Sequence, residues 1–162
     1  MSRSALYTVV FFFLAPGTMG FLVPWAITGW ERPDGDLGPL DLLGAGLVAC
    51  GLVAVVACFI RFVREGSGTP APVAPTESLV VGGLYRYVRN PMYLAVASLI
   101  GGQALILRSG GVVVWLVVFM ASVWTFVRTY EEPTLAQQFG ESYARYRDAV
   151  PGWWPRLTPY QG

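Results

Sequence analysis

The chain has 162 residues, of which 54% are hydrophobic and only 13% charged, with a mean hydropathy of +0.52. That composition is too apolar for the surface of a small soluble domain and reads as an all-α integral membrane protein. A formal net charge of +1 gives no reason to expect a nucleic-acid partner, and with no histidine and two cysteines no cluster has the makings of a metal site.

Four stretches lack charge over about the length that crosses a hydrocarbon core, residues 5–29, 42–60, 92–107 and 111–127, so four transmembrane helices are expected. No A-x-A-like cleavage site follows the first, which is therefore read as a span, bent at Pro16-Gly17 or Pro24. The loop "WERPDGDLGPLD" follows and is acidic, with Glu31, Asp34, Asp36 and Asp41. In the second span "GAGLVA", residues 44–49, fits the dinucleotide pattern G-x-G-x-x-A, but no strand precedes it. Its glycines are better explained by packing, with Gly46, Cys50, Ala54 and Cys58 forming a small-residue stripe at four-residue spacing. Cys50 and Cys58 sit roughly 12 Å apart along that helix and cannot bridge. No ionisable residue lies within these spans, which argues against a proton-coupled exporter.

The segment 61–90 is busier. Its "REGSGTPAPVAPTESLVVGG" is rich in Pro, Gly and Ser, and serves either as a connector or as a pocket wall. It leads into "YRYVRNPMYLA", residues 85–95, where Asn90 suits a helix N-cap and Pro91 the first helical position. Arg86 and Arg89 would flank the membrane there. Only "RSGG", residues 108–111, joins the third and fourth spans, which makes 91–130 an antiparallel helical hairpin.

After the hairpin comes "RTYEEPTLAQQFGESYARYRDAVPGWWPRL". Pro133 can start a helix in which Leu135, Phe139, Tyr143, Tyr146 and Val150 fall on one stripe, suited to lying on the cytosolic interface. Trp153 and Trp154 read as interfacial anchors. The whole is one domain: two spans in 1–60, a loop in 61–90, the hairpin in 91–130, and a C-terminal helix and tail in 131–162.

Every basic residue is arginine. Arg3, Arg61, Arg64, Arg86, Arg89, Arg128, Arg145, Arg147 and Arg156 fall on one side of the four spans, and Arg32 and Arg108 on the other. The positive-inside rule then places both termini in the cytosol, across a plasma membrane of bacterial type. Because the hairpin is antiparallel, Tyr85 to Tyr93 at the start of the third span and Arg128, Glu131 and Glu132 at the end of the fourth lie at the same depth. Polar chemistry is concentrated at that boundary.

"GGLYRYVRNPMYLA" followed by "RTYEEPTLAQQFGESYARYRDAVPGWWPRL" resembles the integral-membrane methyltransferases related to isoprenylcysteine carboxyl methyltransferase and to phospholipid N-methyltransferases. The shared features are G-x-Y-R-x-x-R-H-P-x-Y, a helical hairpin, an arginine followed by paired glutamates, and L-x-x-x-F-G-x-x-Y-x-x-Y, over residues 67–157. The resemblance implies S-adenosylmethionine as cofactor, bound in a cytosolic pocket by the loop, hairpin and C-terminal segment, and a lipid or prenylated acceptor entering from the bilayer. Carried onto this chain, it makes Leu84, Tyr85, Arg89, Asn90, Tyr93 and Glu131 the cofactor-binding candidates and Arg128 and Glu132 the catalytic ones. Asn90 departs from the family, which has histidine there; an amide can donate a hydrogen bond but cannot become cationic.

The residue types suit that chemistry. S-adenosylmethionine carries a carboxylate, an ammonium and a sulfonium. Arg89, Asn90 and the free N–H groups opening the third span can serve the carboxylate, and Glu131 the ammonium. Arg128 and Glu132, four residues apart, can share a helix face, either as an ion pair or as a site. An arginine beside glutamates favours a carboxylate acceptor, held by Arg128 while Glu132 orients Arg128 or the cofactor. An amine acceptor remains open, with Glu131 or Glu132 as base, as do a sterol-reductase-like enzyme using NADPH and a non-enzymatic membrane protein that retains the fold.

Overall fold

The computed structural model describes residues 13–65 and 78–161. The first residues of the expected first span, and most of the Pro/Gly-rich stretch after the second, lie outside them. All regular elements among the described residues are helical.

The chain enters as a wide, π-type coil over Phe13–Leu22, with Pro16 inside it, and tightens into an α-helix over Val23–Thr28 (α1). Pro24 has no N–H to donate, so the carbonyls four and five residues before it, those of Gly20 and Met19, need other partners. They find them in side chains: Gln103 donates to the Gly20 carbonyl and the Trp115 indole to the Met19 carbonyl, the latter at 3.0 Å. Trp30 closes the same network by donating to Gln103 Oε1 at 3.1 Å.

Three long helices follow. α2 spans Pro39–Glu65, α3 spans Pro91–Ile106 and α4 spans Gly110–Phe126. Among the described residues two helices are long and apolar enough to cross a membrane, one over Pro39–Arg61 and one beginning at Gly110, whereas α3 is a shorter apolar helix of 16 residues. The turn between α3 and α4 is capped by Ser109, whose side chain accepts from the Val112 amide. That is the short hairpin connection the sequence implied.

The core lies where α3 packs between α2 and α4. Val55 and Phe59 of α2 meet Ala95, Val96, Leu99, Ile100 and Ala104 of α3, with Val112 and Phe119 of α4 on the far side. α2 and α3 approach closely because glycines face each other: a Cβ on Gly44 would sit 2.6 Å from the Gly102 carbonyl oxygen, and one on Gly51 2.8 Å from that of Ala95. This corrects the packing stripe expected from sequence. A Cβ on Gly46 would meet nothing within 4 Å and Cys50 is exposed, so the close face runs through Gly44, Gly51 and Val55, and of the expected stripe Ala54 and Cys58 pack inward. Four-residue spacing drifts around an α-helix of 3.6 residues per turn, and the true seam alternates longer and shorter steps.

At the end of the bundle away from residues 83–90, Asp41 is almost fully buried and accepts from the Gly38 amide at 2.8 Å, from Arg32 at 3.3 Å and from Arg108 at 3.4 Å. One carboxylate thus ties the loop before α2 to the α3–α4 turn.

At the other end α4 continues through a π-type turn, Val127–Glu131, into α5, Glu132–Ala149. Gly140 (φ 52°, ψ −125°) interrupts α5, a backbone that glycine adopts without steric cost. Past this break Tyr143, Tyr146 and Val150 pack with Leu79, Val81, Leu135, Phe139 and Tyr160. The stripe of α5 is real, and it packs against the 79–81 segment and the tail.

Candidate active site

The segment before α3 has almost no helix of its own: a single 3-10 turn covers Gly83–Arg86. Its backbone groups are satisfied by the C-terminal tail. Arg89 N–H donates to the Pro151 carbonyl at 2.9 Å, Asn90 N–H to that of Gly152 at 3.3 Å, Arg156 N–H to that of Tyr87 at 2.9 Å and Tyr160 N–H to that of Arg86 at 2.9 Å. Residues 86–90 and 151–160 are thereby laid together across the mouth of α3.

Side chains fasten this arrangement to the end of α4. Arg89 is the hub: its Nη1 donates to Glu132 Oε1 at 2.8 Å and to the Tyr143 hydroxyl at 3.1 Å, and its Nε to the Val150 carbonyl at 2.9 Å. Tyr93, one turn into α3, donates its hydroxyl to Glu131 Oε2 at 2.9 Å. The paired glutamates thus point to different partners, and both partners stand on the first turn of α3 or just before it. Trp153 stands beside Tyr93, with ring centroids 6.4 Å apart.

Burial and charge tune these groups. Glu131, beyond the end of the apolar run of α4, has its pKa raised chiefly by burial and further by Glu132, against the lowering effects of the Tyr93 hydrogen bond and Arg89. The Tyr85 hydroxyl is pushed well above its ordinary value, mainly by burial. The Tyr146 hydroxyl is likewise raised by burial; it donates to the Tyr85 carbonyl at 2.7 Å and so pins the 3-10 turn to α5.

The structure therefore brings Arg89, Asn90, Tyr93, Glu131 and Glu132 together, with Tyr85 packed behind them against Cys58 and Val80. Two expected members stand apart. Leu84 faces a separate cleft with Ala57, Arg61, Gly83, Arg86 and Tyr87. Arg128 is exposed and lies over the Trp124 ring, 5.6 Å from its centroid, and Glu132 takes Arg89 as its ion-pair partner in place of Arg128. The π-type turn accounts for this, because widening the coil moves positions four apart off a common face.

Asn90 occupies the N-cap position of α3, but its side chain does not cap the helix; Nδ2 donates to the Gly152 carbonyl at 3.0 Å. Sequence reasoning missed the polar roles of Tyr143, Tyr146 and Gly152. The two tyrosines were visible only as members of an apolar stripe, and periodicity does not report where a hydroxyl points.

The sequence model of the phospholipid methyltransferase family matches residues 40–142, nearly two thirds of the chain. No curated protein and no solved structure matches the chain. The matched region holds α2, the hairpin, Arg89, Tyr93 and both glutamates, in a family of membrane enzymes that transfer methyl groups to lipids. With α2, the hairpin and the paired glutamates all inside the match, the chain belongs to the phospholipid methyltransferase family.

Proposed function

We propose that the protein transfers a methyl group from S-adenosylmethionine to a lipid or prenylated amphiphile at the cytosolic membrane face, with a carboxylate as the acceptor group. The observation that carries this reading is the junction where Tyr93 meets Glu131 and Arg89 meets Glu132. It places two carboxylates and a guanidinium at a helix start, a set able to hold a zwitterionic, cationic ligand. The residues fit the cofactor. When bound, S-adenosylmethionine supplies an electrophilic methyl group on a sulfonium.

The chain's own groups divide the remaining work. Glu131 and Glu132 provide negative charge for the cofactor's cationic groups. Met92 and Tyr93, in the first turn of α3, have backbone N–H groups without helical acceptors, suited to a carboxylate. Arg89, fixed by three acceptors, is a rigid strut whose charge faces that end of the site. Asn90 holds the tail closed at Gly152, and Tyr85 backs the loop side. Arg128, at the lipid-exposed end of α4, receives the acceptor carboxylate. Methyl transfer is an in-line displacement, so aligning two reactants and excluding water is the main requirement.

In the same reading the segment 5–29 and helices α2 to α4 all cross the bilayer, residues 1–162 form one domain, and the junction faces the cytosol as the arginine distribution implies. A lipid tail can then remain in hydrocarbon while its head meets the cofactor. A phospholipid amine is the second reading, favoured by one observation: the buried Glu131, with its pKa raised, is suited to accept a proton.

Binding of S-adenosylhomocysteine to the detergent-purified protein, read by calorimetry and by thermal stability, tests the proposal. A ligand that binds only the folded state raises its stability by RT ln(1 + [L]/Kd). No heat and no shift at millimolar ligand would sink it.

A further inference from the structure

On the α2 side of the 3-10 turn lies a cleft of about 420 Å³, lined by Ala57, Arg61, Gly83, Leu84, Arg86 and Tyr87. None of the side chains that meet at the Arg89–Glu131 junction lines it. Gly83 makes it possible: its φ is 59°, and a Cβ there would stand 2.9 Å from Arg61 Nε. Glycine keeps the floor open against the guanidinium.

The charge of the cleft is uneven. Arg61 pairs with Glu65, whose other carboxylate oxygen accepts from the Gly82 amide at 3.1 Å. Arg86 donates its Nε to the Tyr160 carbonyl at 2.7 Å and has no acidic partner among the described residues. Among the described residues that meet there, two guanidinium groups against the Glu65 carboxylate leave a single net positive charge. A phosphodiester carries a single negative one and accepts the paired N–H geometry of a guanidinium.

The approach to the cleft is apolar. Val53, Ala57 and Arg61 form an i, i+4 row on α2, so the row passes from hydrocarbon-like surface into charge within two turns. Val53, Val56 and Ile60 along this flank are exposed, Val53 at 70%. Arg61 is the first charged residue after the apolar run of a helix long enough to cross a membrane. Leu84 and Tyr87 add exposed apolar surface at the lip.

We propose that this cleft is a binding site for an anionic phospholipid, with its phosphodiester on Arg61 and Arg86 and an acyl chain along the Val53–Ala57 flank of α2. The site is separate from the methyl-transfer junction. It holds a bilayer lipid against the 3-10 turn that carries Tyr85.

The test uses the full chain in a neutral detergent, titrated in turn with dihexanoyl phosphatidylglycerol, dihexanoyl phosphatidylcholine and inorganic phosphate, with binding read by calorimetry. Phosphatidylglycerol is expected to bind, more tightly than phosphatidylcholine, and inorganic phosphate to bind far more weakly than either. The double variant R61Q/R86Q should lose roughly tenfold or more in phosphatidylglycerol affinity, the scale of lost charge-assisted hydrogen bonds. Arg145→Gln, on exposed α5 surface, should leave it unchanged. Ala57→Trp keeps both arginines and fills the lip, so it should also abolish binding; it decides the matter if the double variant does not fold. Unchanged affinity in both variants, equal binding of the two lipids, or equally tight binding of inorganic phosphate would overturn the proposal. An equal loss in Arg145→Gln would do so too, by showing attraction to surface charge alone.

Discussion

Arg89 and Glu132, 43 residues apart in sequence, form an ion pair of 2.8 Å that joins the start of α3 to the start of α5. Both side chains are mostly buried, at 15% and 18% exposure, and the guanidinium also reaches the Tyr143 hydroxyl and the Val150 carbonyl. One residue thus holds three parts of the chain around the proposed cofactor site.

Arg89→Met should therefore destabilise the protein by about 2 kcal/mol, short of the full cost of orphaning a wholly buried charge because some solvent reaches the pair. Glu132→Gln should cost less, since an amide oxygen still accepts from Arg89. Denaturation of both single variants and the double variant provides a cycle, in which a coupling of at least ~0.5 kcal/mol is expected. Additive losses would mean that the pair holds nothing together.

The α2–α3 seam gives a sharper contrast. A Cβ on Gly102 would lie 2.5 Å from the Gly44 carbonyl oxygen, against backbone that cannot step aside, whereas Gly46 faces open space. Gly102→Ala is expected to cost ~1–3 kcal/mol by forcing the helices apart. Gly46→Ala should be neutral or slightly stabilising, alanine being the better helix former. Thermal unfolding in detergent compares them directly, and equal effects would contradict the seam.

That contrast also shows what sequence could and could not convey. The charge-free runs marked the helices, and "RSGG" marked the hairpin, because hydrophobic length and short connections constrain topology directly. Which glycines make the seam was hidden, since Gly44 and Gly46 differ by 200° of helix rotation, at about 100° per residue, and composition is blind to that angle. The junction was legible in part: an antiparallel hairpin brings Tyr93 and Glu131 to the same end of the helix pair, and they are hydrogen-bonded. The partner of Glu132 was not, because a π-type turn between Val127 and Glu131 redirects it to Arg89 and leaves Arg128 on Trp124. Nor did the sequence reveal the tail pairing, which depends on backbone carbonyls that every residue carries.

Asn90 gives the third prediction. Its amide donates to the Gly152 carbonyl, so Asn90→Asp replaces a donor by a carboxylate facing a carbonyl oxygen, at a cost of ~1–3 kcal/mol. The tail should loosen locally, with faster hydrogen exchange at Arg156 and Tyr160, whose amides pair with residues 86–87. Asn90→His, the family's usual residue here, keeps a donor and should retain protection. Unchanged exchange in Asn90→Asp would show that the amide does not hold the tail.

Tyr93→Phe should make stability more sensitive to pH. The Tyr93 hydrogen bond lowers the pKa of Glu131 while burial raises it, so removing the hydroxyl shifts the folded-state value further up. A carboxyl whose folded pKa exceeds its unfolded one, about 4.3, favours the folded state fully below the unfolded value, and that contribution is lost as pH rises through the folded value. The variant should therefore lose more stability relative to wild type at pH 7 than at pH 4. A pH-independent difference would mean that Tyr93 does not act on the ionised carboxylate.

The acceptor chemistry is decided by the pH dependence of transfer, and Glu131 and Arg128 are the residues that report it. A carboxylate acceptor, with an unperturbed pKa near ~4, is already ionised at neutral pH and needs no base. Its rate should stay flat from about pH 6 to 8. An amine acceptor must first lose a proton, and Glu131, the carboxyl whose pKa burial raises, is then the candidate base. Arg128 is exposed, with its guanidinium on the Trp124 face and no acidic partner among the described residues, so it is free to take an acceptor carboxylate as a paired donor. Arg128→Lys keeps the charge but loses that planar pairing, and should lower the rate for a carboxylate roughly tenfold or more. Glu131→Gln should weaken cofactor binding without introducing a pH slope. A rate that instead rises about tenfold per pH unit, as expected for removal of one proton before attack, with the slope abolished in Glu131→Gln and Arg128→Lys tolerated, would reject the carboxylate and establish an amine as the group that is methylated.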